Sequence, residues 1–439
     1  MKTPICDFLQ KYASDDNIRL HMPGHKGLGD NCEKYDLTEI DGADSLYEAS
    51  GIIRESERCA SKLFASHTFY STEGSSLAIR AMLYLALITR GGKRATVLAG
   101  RNAHKVFIST AALLDFDVEW IYGKSYLSCT PTSLEIAERI DSMPEKPVAV
   151  YLTSPDYLGN IADVKGIAEV CHERGVLLLV DNAHGAYLAF TEPPLHPIAL
   201  GADMCADSAH KTLPCLTGAA YLHIADTIQR DAAARAKAAL SLFGSTSPSY
   251  LILASLDRVN AYLDGEYKQK LKSFIDELCE IKTLLAEADY EIIGDEPMKL
   301  TLGTKAHGYT GYEIADLLQK NGIVPEFCDP DYVVLMPTPQ ISAEEMQRVV
   351  STLTAIPKRA PITDRAPVIE AKESVVSPRD AIFSECEVVE IKDAVGRILA
   401  DVTVGCPPAV PIVISGERID ENAKLAFEYY GIERCSVIK

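Results

Sequence analysis

Val176-Leu177-Leu178-Leu179-Val180 is a continuous apolar run that ends abruptly in Asp181-Asn182-Ala183-His184-Gly185. A strand with one face in water alternates polar and apolar residues, whereas one without a polar position is covered on both faces. Such a strand calls for a layered α/β fold, with helices packed on a mostly parallel sheet. The surrounding pattern agrees. Between about 95 and 224, strand-like segments at 95–98, 118–121, 148–152, 176–180, 203–206 and 219–222 alternate with helical segments at 132–142 and 164–174. The second helix has Asp163 as N-cap, with Val164, Ile167, Ala168 and Cys171 on one face and Gly175 as its stop.

Open sheets of this kind place ligands outside the carboxyl ends of their strands. Asp181 stands at such an end. A carboxylate there is costly to bury unless it meets a positive charge, such as a protonated pyridine nitrogen. Capping the next turn is an equally open reading of Asp-Asn. Thirty residues on, the strand-like 203–206 runs into Ser208-Ala209-His210-Lys211. A lysine whose neutral amine is populated can condense with an aldehyde, and burial among hydrogen-bonding groups favours that state. Taken alone, Lys211 would count among the solvated lysines of an ordinary surface. Gly74-Ser75-Ser76 opens a long apolar helical run, Leu77 through Thr89. Its first N–H groups and two hydroxyls suit a phosphate, and N-capping by Ser75 is compatible with that role.

The chain has 439 residues, a formal net charge of -19, 47% hydrophobic and 24% charged residues. That is a globular chain long enough for two or three domains. Its acidity argues against nucleic-acid backbones, which want a basic face. No apolar run reaches membrane-spanning length and the first residues lack a signal-peptide core, so a cytoplasmic location is expected. Twelve cysteines occur singly, without a C-x-x-C pair. His21 and His25 are four apart, but Pro23 and Gly24 break the helix that a metal-binding pair needs, and no metal is expected. Gly123-Lys124-Ser125 ends like a phosphate-binding loop, yet Val118 stands where its first glycine must be.

Asp181-x-Ala183-His184 followed by Ser208-x-His210-Lys211 resembles the pyridoxal 5'-phosphate site of fold-type I enzymes. More closely it resembles the Orn/Lys/Arg decarboxylase family, in the short bacterial form expected to lack an N-terminal wing domain. His21-Met22-Pro23-Gly24-His25-Lys26-Gly27, Arg101-Asn102-Ala103-His104-Lys105, Ser245-Thr246-Ser247-Pro248-Ser249-Tyr250 and Pro407-Pro408 through Gly416-Glu417-Arg418 match it in the family's order. The resemblance implies Lys211 as the residue that takes the cofactor aldehyde, Asp181 on the ring nitrogen and His104 stacked on the ring. Gly74, Ser75 and Ser76 would hold the phosphate, and Ala183, His184, Ser208 and His210 would line the site. His210 or Lys211 would return the proton to Cα. Thr246 would reach a partner subunit's phosphate, since the active site of this fold forms at a two-fold interface and a homodimer or higher homo-oligomer follows. Glu417 would hold a substrate's cationic end, beside Cys406 where the family usually has Tyr. Three departures are that Cys406, the stretch 44–50, which lacks a His-His-Pro-like segment, and Ser76, where the family more often has Thr and the hydroxyl is kept.

The implied reaction is decarboxylation of a small basic amino acid, arginine first, with lysine or ornithine as alternatives. An aminotransferase or another lyase of the same fold, and an inactive cofactor-binding homologue, are the rival classes. The expected organisation is an N-terminal segment (1–60) with little periodicity, a cofactor-binding large domain (61–250), a small α/β domain (251–356), a Pro- and charge-rich linker (357–378) and a C-terminal domain (379–439).

Overall fold

The structure is a computed structural model. It describes residues 1–29, 31–90, 95–123, 125–228, 230–406 and 410–439, with backbone alone for Arg230 and residues 403–406. Pro407, Pro408, Lys124 and the Cys406 side chain therefore lie outside the described residues. The chain groups into two compact units, Met1–Gly92 with Val164–Lys272, and Lys93–Asp163 with Ser273–Lys439. In chain order the first strands are β1 (His67–Ser71), β2 (Thr96–Gly100), β3 (Asp117–Ile121), β4 (Ala149–Thr153), β5 (Leu177–Asp181), β6 (Met204–Asp207) and β7 (Ala220–Ile224). The helices among them are α1 (Pro4–Ser14), α2 (Ile52–Phe64), α3 (Gly74–Arg90), α4 (Lys105–Leu114), α5 (Ser133–Ser142), α6 (Val164–Glu173) and α7 (Ala209–Thr212).

In the first unit the strand order is β1-β7-β6-β5. β5 and β6 run parallel, while β7 is antiparallel to both β6 and β1. Every residue of β5 is buried, as its composition requires. Burying each of its leucines contributes about 2 kcal/mol. α3 packs on β6 and β7; its buried Leu77, Ala78, Ala81, Met82 and Leu85 share one face, and the buried Ile79, Leu83 and Ala86 extend burial beyond it. Residues 1–64 hold two helices, α1 and α2, that the weak periodicity hid. α1 buries only Ile5 and Leu9, and the buried side of α2 includes Ser56 and Glu57. Those polar groups are satisfied far along the chain. Ser56 donates to Asp257 at 2.6 Å, and Glu57 takes the Tyr70 N–H at 2.9 Å and pairs with Lys237.

In the second unit β2 lies between β3 and β4, parallel to both. A four-stranded antiparallel sheet follows, built from 291–293, 300–303, 327–328 and 332–335. It shares a core with helices 311–320 and 343–354 through Leu300, Leu302, Ile314, Leu318, Val333 and Leu353. Both helices begin with capping boxes, Thr310 with Glu313 and Ser342 with Glu345. Two short antiparallel pairs, 386–390 with 434–438 and 403–406 with 410–414, and helix Glu421–Tyr429 bring Ile412, Val413, Val437 and Phe427 into one core with Tyr126 and Leu127. Among the described residues no helix is long and apolar enough to cross a membrane.

Candidate active site

The site grows from two neighbouring strand ends of the first unit. Asp181, the last residue of β5, pairs in the parallel ladder with Ala206 of β6. It is 2% exposed, and its Oδ1 accepts the Ala183 N–H at 3.2 Å. Turn capping and a buried carboxylate are thus both present at once. β6 ends at Asp207, and Ser208 leads into the single turn of α7, which carries His210 and Lys211. Asp181 and Lys211 accordingly sit at the same edge of adjacent strands.

Lys211 is half-buried, and its Nζ lies 3.0 Å from Nε2 of the buried His184. Two basic nitrogens at that distance share one proton, since two charged groups would repel. His210 is fixed differently. Its backbone N–H and its Nδ1 both reach the Ala219 carbonyl, at 3.2 and 2.9 Å, so Nδ1 carries the hydrogen. α3 begins beside this turn. Gly74 has φ +71°, its N–H donates to Gly218 O at 2.8 Å, and a Cβ placed on it would meet nothing within 4 Å. Ser208 Oγ donates to Ser75 Oγ at 2.7 Å, which joins the lysine turn to the helix start. Ser76 is half-buried next to it.

These residues fit a cofactor with an aldehyde, a basic ring nitrogen and a phosphate. Lys211 offers the amine and Asp181 the buried acid. The open space over Gly74, at the start of a 17-residue helix with the Ser75, Ser76 and Ser208 hydroxyls nearby, offers an anion cradle. Thr246 is exposed in a loop whose Ser245 N–H donates to Glu73 Oε1 at 2.6 Å.

The remaining expected residues belong to the second unit. His104 is the N-cap of α4, with Nδ1 accepting the Val106 N–H at 3.2 Å. Glu417, the candidate for a substrate's cationic end, has a partner within the chain. It is 2% exposed, and its Oε2 takes both Arg101 Nη2 and the Ile414 N–H, each at 2.9 Å. Its positive partner is a residue of the chain itself.

Sequence reasoning passed over the layer behind the strand ends. Asn182 donates its N–H to Ala206 O at 3.0 Å and its Nδ2 to Asp207 Oδ1 at 2.7 Å. Asp207 Oδ2 also accepts from His196 Nε2 at 3.0 Å and His223 Nε2 at 3.1 Å. Burial opposes its ionisation, but the two imidazoles outweigh that and hold the carboxyl well below the usual range. An acid directly before Ser208 was visible in the sequence, but its partners stand 11 and 16 residues further off along the chain.

Comparison with known proteins completes the assignment. A family model described as "Orn/Lys/Arg decarboxylase, major domain" matches residues 3–295, and "Orn/Lys/Arg decarboxylase, C-terminal domain" matches 364–434. The chain is 32% identical to the arginine decarboxylase of Bacillus subtilis, over 97% of this chain and 93% of that protein. It is 30% identical to the arginine decarboxylase of Halalkalibacterium halodurans, over 96% and 92%. The lysine decarboxylase LdcF of Francisella novicida shares the fold, with a TM-score of 0.82 at 18% identity, over 100% of this chain and 81% of that one. That fold is the fold-type I architecture of pyridoxal-dependent decarboxylases, and the chain belongs to the Orn/Lys/Arg decarboxylase family.

Proposed function

We propose that this decarboxylase acts on arginine and holds pyridoxal 5'-phosphate between Lys211 and Asp181. The observation that carries the reading is the Lys211–His184 contact at 3.0 Å, made at the strand edge where Asp181 is buried. When bound, the cofactor supplies an electron-accepting ring that stabilises the charge left at Cα as carbon dioxide departs. Lys211 would hold the aldehyde carbon. Asp181 would keep a proton on the ring nitrogen, its own charge offset by that cation. Ser75, Ser76, Ser208 and the N–H groups that open α3 would hold the phosphate. His184 would pass a proton to or from Lys211 Nζ, so that the amine is neutral when it attacks and protonated when it returns a proton to Cα. His210, anchored on Ala219, is the second candidate for that return.

Arginine is preferred because the arginine decarboxylases above match nearly the whole chain, whereas the lysine decarboxylase likeness shows the fold alone. Lysine and ornithine remain the alternatives of the same family. A homodimer is part of the reading, with the exposed Thr246 directed to a partner's phosphate, as is a cytoplasmic location.

The test supplies arginine, lysine and ornithine separately and measures carbon dioxide and amine product. Arginine should give both, with kcat/KM at least about tenfold above the others. Lys211→Ala should abolish turnover and leave the circular dichroism spectrum unchanged. Keto-acid accumulation in place of carbon dioxide, or surviving activity in Lys211→Ala, would overturn the reading.

A further inference from the structure

Side chains alternate along a strand, so β6 turns Cys205 and Asp207 to the side opposite Ala206. Since Asp181 pairs with Ala206, that side is the reverse of the one Asp181 faces. β7 places His223 directly across from Cys205, and β1 places Thr68 across from His223. His196 joins them from the loop after the short helical turn Ala186–Phe190. One ligand atom from each of His196, Cys205, Asp207 and His223 lies within 4.8 Å of all the others, and all four side chains are buried. The described residues contain no other such group.

We propose that these four residues are a closed, tetrahedral site for a zinc-like divalent cation, a structural centre beneath the lysine turn. The donor set is one sulfur, two imidazoles and one carboxylate, the ligand types such an ion selects. With usual zinc–ligand lengths, the edges of the tetrahedron are roughly 3.3–3.6 Å. The four ligand atoms lie within 4.8 Å of one another, close enough for small shifts to close on an ion, with the histidines nearest Asp207 Oδ2 and the thiol nearest its Oδ1. His196 Nε2 and His223 Nε2 lie 3.0 and 3.1 Å from Asp207 Oδ2. Cys205 Sγ lies 3.8 Å from His196 Nε2 and 3.9 Å from Asp207 Oδ1.

The charges balance as well. A thiolate and a carboxylate neutralise a divalent cation, and neutrality is what the wall of Phe64 and Tyr221 rings demands. An outer layer is already in place. Thr68 Oγ1 is 2.9 Å from His223 Nδ1, which commits Nε2 to the centre, and Asn182 orients the Asp207 carboxylate. His196 turns Nε2 to the centre, 3.0 Å from Asp207 Oδ2, and among the described residues its Nδ1 has no hydrogen-bond partner. In a set held only by hydrogen bonds the thiol makes only long contacts, 3.9 Å to Asp207 Oδ1 and 3.8 Å to His196 Nε2, whereas as a ligand it completes the donor set. All four ligands are protein groups, so no position is open to water or substrate and the role is structural.

The test is elemental analysis of untagged enzyme, purified from zinc-supplemented cells and passed over a chelating resin. About one zinc per chain is expected, falling below about a tenth in Cys205→Ala. Protein refolded with cobalt alone should show tetrahedral bands and a thiolate-to-metal transition, which Cys205→Ser removes. Wild-type protein with less than about a tenth of a metal per chain, and no cobalt spectrum, would overturn the proposal. The cluster is then a hydrogen-bonded His–Asp–His set. Both measurements on wild type stand even if a variant fails to fold.

Discussion

Glu417→Gln tests whether this carboxylate serves the fold or the substrate. The Arg101 and Glu417 side chains are 1% and 3% exposed, and their nitrogen and oxygen are 2.9 Å apart. Arg101 also donates to the Pro411 and Ile412 carbonyls, at 3.0 and 3.3 Å. Glutamine keeps the volume, and its amide oxygen can still accept the Ile414 N–H. What it removes is the counter-charge, leaving a guanidinium buried against carbonyls alone. Breaking one side of such a pair costs about 3–5 kcal/mol, and the retained hydrogen bonds place this variant near 3. Arg101→Met strands the carboxylate instead and should cost about 4 kcal/mol. The double variant Arg101→Met/Glu417→Leu leaves no buried charge. It should fall within about 1–2 kcal/mol of wild type, a coupling of several kcal/mol. Guanidinium unfolding followed by tryptophan emission is well placed to read this. The chain has a single tryptophan, and the Arg101 guanidinium carbon is 5.2 Å from the Trp120 ring centre. A Glu417→Gln midpoint matching wild type, with KM raised several-fold, would refute the argument and return Glu417 to the substrate.

Two further outcomes follow from local physics. Burial pushes the Asp329 carboxyl up to about 7 against the N–H groups of Tyr332 and Asp331. Its folded pKa thus exceeds the unfolded one, so the native state loses stability as pH rises from about 4 through 7. Asp329→Asn should escape that loss, and its advantage in thermal midpoint should grow from pH 4 to pH 8. An advantage independent of pH would sink this reading. Gly74→Ala puts a side chain on a residue at φ +71°, which costs about 1 kcal/mol, and it fills the open space at the start of α3. Cofactor titration should then give a raised Kd with only a small drop in thermal midpoint. An unchanged Kd would show that the phosphate lies elsewhere.

How much of this was legible depended on where each residue's partners lie. β5 declared itself because covering both faces leaves a mark in five consecutive letters. The ends of the strands from 96 to 224 fell within about two residues of the pattern for the same reason. α2 was hidden because its inner side uses Ser56 and Glu57, and what makes them tolerable is Asp257 and Lys237, some two hundred residues on. Lys211 and Asp181 stand out through motif resemblance, whereas the Lys211–His184 contact, on which the proposed chemistry rests, is a product of the turn geometry. The burial of Glu417 left no mark in the sequence, because its partner Arg101 lies 316 residues away. The His196, Cys205, Asp207 and His223 group has no spacing signature. Two strands and a loop assemble it.

Each of the two compact units is made of two separate stretches of chain, 1–92 with 164–272 and 93–163 with 273–439. During synthesis neither can close on itself when its first stretch leaves the ribosome. Arg101 must wait 316 residues for Glu417. For about 15 to 60 seconds at usual elongation rates its charge has only water for company. A nascent chain arrested before residue 417 should therefore be digested readily around 95–163, and chaperone demand should peak late in translation.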